Sequence, residues 1–240
     1  MKPLNLDRLF RTNDMIEVFV GDGSEHWVLN RDFLYHRMPS LKARLDAIES
    51  ENPDRNANDQ ILLKQVEPPV FAMALDWFMT GNLRCTKPHS LDGAVALGHF
   101  TVLCALYVFA EKYELPRLSV VTIDRIKTCT AQVPWKPTAT EVRYVFKETH
   151  NKSVLRSIVV KEMTKAFMRQ PTKEFKEHSE EWAALFACHP EFHAQMLHAI
   201  KVQFVIRNAK TARGQGQGLP IRRRYRPLSK EVIDLTVADD

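Results

Sequence analysis

Residues 61–83, ILLKQVEPPVFAMALDWFMTGNL, constrain this chain more than any other stretch. Ile61–Leu63 is a short apolar run that suits a strand buried on both faces. Glu67-Pro68-Pro69 then stops the strand and pre-sets φ for a helix start. From Val70 to Met79 only Asp76 is charged. Phe71, Ala74, Leu75 and Phe78 recur at helical spacing, with Val70, Met73 and Trp77 as a second stripe beside them. A helix apolar nearly all round has to be buried, and ten residues are too few to span a bilayer. Phe71, Leu75, Trp77 and Phe78 are therefore expected in the core. Gly81 and Asn82 both tolerate positive φ and end the helix.

Around this centre the pattern alternates between strand and helix signals. Ile16, Val18 and Val20 alternate with Glu17 and Phe19, as in a half-buried strand, and Trp27-Val28-Leu29 returns after the Gly21–Ser24 turn. Asn30 can cap the next helix, which runs to Met38-Pro39-Ser40-Leu41, with Asp32 in its first turn. Residues 49–60 and 84–94 read as polar surface loops. Phe100, Leu103, Leu106, Tyr107 and Ala110 share one helical face; Leu118, Thr122 and Ile126 share another after the break at Leu115-Pro116. A linker, Val133–Pro137, precedes Thr138 and Glu141, which have capping-box spacing. Val142, Val145, Phe146 and Thr149 then form one face, and Leu155, Ile158, Val159 and Met163 the next, with Pro171 as its stop. Residues 175–188 and 190–205 read as two further helices, Pro190 at a first-turn position.

The central stretch resembles the middle of a BTB/POZ domain. DMIEVFVGDG (14–23) with WVLNRDFLYHRMPSL (27–41) resembles that family's opening hairpin and following helix. ALYVFAEKYELPRLSVVTIDRI (105–126), through Ala110, Lys112, Tyr113, Leu115 and Leu118, resembles its closing helix pair. The similarity is greatest to the short BTB proteins of filamentous fungi, which tend to carry a block like EVRYVFKETHNKSVLRSIVV (141–160). The resemblance implies an α+β fold, a small β-sheet flanked by helices. It also implies homo- or hetero-association through that domain, and service as substrate adaptor for a cullin-type ubiquitin ligase. Cullin-binding members often carry an apolar-x-Glu triplet after the central helix; residues 84–95 contain no Glu.

The expected organisation is an N-terminal arm (1–13), the BTB/POZ domain (14–130), an all-α extension (135–206) and a disordered basic tail (207–240). No apolar run suits a membrane or signal peptide. Of the 34 Lys and Arg, nine fall in residues 201–230, which hold no acid; of the 29 acids, four fall in the last ten residues. Subtraction leaves 25 of each in residues 1–200, so the positive charge belongs to the tail and not to a groove on the fold. Cys85, Cys104, Cys129 and Cys188 lie far apart and read as buried free thiols. Cys188, His189, His193 and His198 approach metal-ligand spacing, but Glu191 is at the wrong register for a metalloprotease helix. Glu174, Glu177, Glu180 and Glu181 read as a solvated face. No nucleophile, phosphate-loop or dinucleotide motif occurs. No catalytic residue, cofactor or metal is expected; the chain reads as a non-enzymatic protein-interaction protein.

Two motifs occupy the tail. Arg222, Arg223, Arg224 and Arg226 form a basic cluster that reads as an import signal, a phosphate contact or a solubilising run. The end, EVIDLTVADD, looks like a SUMO-interaction motif. Such a segment adds a strand to an exposed sheet edge of its partner. Val232, Ile233, Leu235 and Thr236 would lie along an apolar groove while Asp234, Asp239 and Asp240 meet basic residues. A terminal strand on the chain's own sheet, or an unused apolar patch, is the bland alternative. The expected partners are SUMO or sumoylated proteins, in nucleus, cytoplasm or both. The second functional reading is a nuclear scaffold or transcription-associated BTB protein whose arginine cluster touches nucleic acid.

Overall fold

The alternation in Met15–Val20 (β1) turns Ile16, Val18 and Val20 inward, as the period of a strand requires. Gly21 and Gly23 take left-handed φ of 67° and 87° in the turn that follows, and the chain returns antiparallel as Glu25–Asn30 (β2). Gln60–Leu63 (β3) pairs parallel with β1, so the sheet order is β2-β1-β3. Val18 lies opposite Trp27 on one side and Ile61 on the other. The computed structural model describes residues 14–23, 25–51, 60–84, 93–169 and 179–214.

The expectation that β3 is buried on both faces fails. Ile61 and Leu63 are buried, but Leu62 is 52% exposed, beside the stacked Phe19 and His26 rings on the outer face. The core covers only the inner face of this sheet, so an apolar triplet cannot hide all three side chains.

Asn30 caps Arg31–Arg37 (α1), accepting from the Phe33 N–H at 3.0 Å. The helix expected to run through residue 41 breaks at Met38 (φ −128°, ψ 69°) and resumes as Pro39–Glu51 (α2). A residue before proline is sterically barred from the helical region, which accounts for the break. Pro68–Thr80 (α3) is the central helix, and Val70, Phe71, Met73, Ala74, Leu75 and Phe78 are buried. Trp77 is only half-buried and Met79 is 63% exposed at that end of the helix. Gly81 ends α3 in the left-handed region (φ 71°), its N–H donating to the Trp77 carbonyl at 2.8 Å. Asn82 does not share that role; its N–H donates to the Thr80 hydroxyl.

Gly93–Lys112 (α4) begins inside the loop expected for 84–94, and Pro116–Gln132 (α5) follows the break at Leu115. Ala139–Glu148 (α6) carries the complete Thr138/Glu141 capping box. Val154–Arg169 (α7), Ser179–Cys188 (α8) and Pro190–Gly214 (α9) complete the described elements. Pro171, Phe175, Glu174 and Glu177 lie outside the described residues; Glu180 and Glu181 are exposed. α9 stays helical beyond Arg207, where loss of helix was expected, since residues 207–213 contain no proline or glycine to stop it.

The chain is α+β, mostly helical with one small mixed sheet. It divides into two units, Met1–Lys201 and Val202–Asp240. Within the first, one hydrophobic core runs from Ile16 to Met196, across the join expected near residue 130. Phe71 meets Phe109 edge-on, Trp135 stacks on Phe100 at 4.9 Å, and Phe146 meets Phe192 at 5.1 Å. Trp135, read as linker, is thus a core residue. In the second unit the backbone is helical to Gly214. Among the described residues no helix is long and apolar enough to cross a membrane.

Candidate functional site

The break at Met38, the exit of α3 and the turn into α5 converge on one groove of about 790 Å³. Pro39, Trp77, Leu115, Pro116, Val120 and Val121 line it, with Gly81 at the end of α3. Two long-range hydrogen bonds hold its walls. The Ser40 hydroxyl donates to the Tyr113 carbonyl at 2.6 Å, and the Arg125 guanidinium donates to the Leu83 carbonyl. Glu114 takes φ of 55° on the rim, a region costly for a side-chain-bearing residue, and delivers the chain into Pro116 at the first turn of α5.

The groove is apolar but not uncharged. Arg37, Glu114 and Arg117 border it. The Arg37 guanidinium lies over the Phe33 ring at 5.6 Å, and its Nε is buried with no hydrogen-bond partner. Val120 is 61% exposed in a helix whose Leu118 and Ile123 are buried. Exposed apolar surface of this kind, bordered by charged side chains, is a candidate contact surface.

Elsewhere the buried polar groups hold the fold. Glu141 accepts from Thr101 Oγ1 at 2.7 Å, Trp135 Nε1 at 3.4 Å and the Thr138 N–H at 2.9 Å. Arg156, 4% exposed, donates to the carbonyls of Phe146 and Thr149, to Thr149 Oγ1 and to Asn151 Oδ1. Burial pushes the Cys104 thiol well above its ordinary range, with Glu141 adding to the effect, so it stays protonated and inert. Cys129 is also buried, its sulfur 3.3 Å from His99 Nε2. Cys188 breaks the expectation of buried thiols: it is exposed at the end of α8, whose inner face is supplied by Trp182 and Leu185. Cys85 lies outside the described residues. His189 tilts against Phe146 and lies 3.4 Å from Glu191, while His193 packs on Phe186. Among the described residues no three metal-ligating side chains converge.

Val232–Thr236, Asp239, Asp240 and the arginines at 222, 223, 224 and 226 lie outside the described residues. Sequence reasoning missed the groove, although two of its signals, Met38-Pro39 and Leu115-Pro116, are proline breaks visible in the chain. Arg156 gave no signal, being one cation within an apolar periodic stretch. No protein-family model matches the chain, and no curated protein matches it.

Proposed function

We propose that this chain is a non-enzymatic protein-interaction protein of BTB/POZ type. In this reading the domain associates with itself or with related domains, and Val232–Thr236 recruits SUMO or sumoylated proteins. The observation that carries the proposal is the order and pairing of elements: a hairpin, two helices, a third strand parallel to the first, then a proline-started apolar helix. The resemblance implies an opening hairpin with a helix after it and a small sheet flanked by helices, and these elements support the reading. It is supported by an apolar groove with an uncovered rim and by buried charges that are taken up in capping and packing.

The tail half of the reading has a direct test. Labelled SUMO is titrated with a peptide of residues 226–240. Binding is expected at roughly micromolar strength, because ordering a short segment offsets much of the gain from a few apolar side chains and main-chain bonds. Changing Val232, Ile233 and Leu235 together to Ala abolishes it. Equal binding by that triple variant, or no saturable shift at millimolar peptide, overturns the recruitment role. Light scattering of the full chain tests association, and monomer alone at micromolar concentration counts against it.

A further inference from the structure

We propose that the groove between the end of α3 and the start of α5 seats an apolar segment of a partner protein that carries a carboxylate. The proposal rests on the reading of this chain as an interaction protein only in taking a protein as occupant. Two observations carry it. The walls present apolar surface that folding left in water: Trp77 is half-buried, and Val120 is 61% exposed. Two guanidiniums, Arg37 and Arg117, border that surface against the single carboxylate of Glu114, so the rim is net cationic.

These features select among occupants. A carboxylate pairs with the exposed Arg117 guanidinium on the rim through the planar fork that arginine offers and lysine does not. A second copy meeting the groove two-fold would set these cations against the same cations, which like-charge repulsion opposes. A nucleic-acid backbone would engage the guanidiniums yet leave Trp77 and Val120 uncovered. An apolar segment with an acid beside it satisfies both parts of the surface. The volume lies within the roughly 300–1,000 Å³ that accepts a few large side chains. Ser40 and Arg125 tie the walls across the groove, so little reorganisation is needed on binding.

The test selects a twelve-residue displayed peptide library on the full chain and measures the best peptide by fluorescence polarisation. Enriched peptides are expected to hold Asp or Glu next to two or more large apolar residues. Val120→Asp, at an exposed position, weakens binding at least about tenfold with the melting temperature unchanged, since the new charge must be desolvated to bind. Arg117→Glu weakens it by a similar factor and transfers preference to the peptide with Lys in place of its acid. No enriched peptide, enrichment without an acid, or unchanged binding by both variants overturns the proposal. SUMO titration of Val120→Asp keeps the two readings apart. Unchanged SUMO binding beside lost peptide binding is the expected pattern, and the reverse pattern, lost SUMO binding with peptide binding intact, refutes the groove as the peptide's seat.

Discussion

Replacing Arg156 by Met is the sharpest test of how α6 and α7 are joined to each other. Arg156 sits on α7, yet its guanidinium closes the C-terminal end of α6, donating to the carbonyls of Phe146 and Thr149 that the helix itself cannot pair. It also donates to Thr149 Oγ1 at 3.1 Å and Asn151 Oδ1 at 3.0 Å, and lies over the Phe146 ring at 4.6 Å. Met keeps most of the apolar stem and removes every donor. Each of two orphaned buried carbonyls costs about 1–2 kcal/mol, and the lost cation–π contact about 1 kcal/mol. Relief of the desolvated charge offsets part of this, leaving a loss of about 2–4 kcal/mol. Urea unfolding followed by tryptophan fluorescence and by circular dichroism measures it. Because one core spans Ile16 to Met196, both probes are expected to move together to a lower midpoint. Arg156→Lys keeps the charge but not the fork, and is expected to lose at least half as much. An unfolding free energy within about 0.5 kcal/mol of the parent refutes the capping argument. Two separated transitions refute the shared core.

Two further outcomes follow from the buried groups. Burial, with Glu148, Glu67 and Cys104 adding to it, pushes the Tyr144 hydroxyl up to about 12. The unfolded chain ionises this tyrosine near its ordinary value of 10 while the folded chain holds the proton, so its contribution is complete below pH 10 and falls as pH rises toward 12. Tyr144→Phe is expected to flatten that alkaline loss, measured as melting temperature against pH; an unchanged slope counts against the assignment. For the thiols, a Cys85→Ser variant is expected to react with a disulfide reagent at one site when native, Cys188, and at three in denaturant. Native reaction at Cys104 or Cys129 would contradict their burial.

Local chemistry determined much of this fold without help from the tertiary structure. The 2-residue alternation of β1, the Asn30 cap, the Thr138/Glu141 box, the proline starts of α3 and α5 and the glycine end of α3 act over a few residues, so they are visible in the chain and appear where expected. The tail motifs are of the same local kind, read from composition and spacing alone. What needed the tertiary structure was the question of which side of an element meets a neighbour. Ile61-Leu62-Leu63 and the stretch from Val70 to Met79 are apolar throughout, and apolarity says that burial is favoured, not that a partner is present to provide it. Leu62, Trp77 and Met79 are left partly or largely in water because, among the described residues, none covers the outer face of β3 or the outer side of the last turn of α3. The groove exists for the same reason. Residues 37–39, 77–81 and 114–121 are distant in sequence, and only long-range bonds such as Ser40 to Tyr113 and Arg125 to Leu83 bring them to one place.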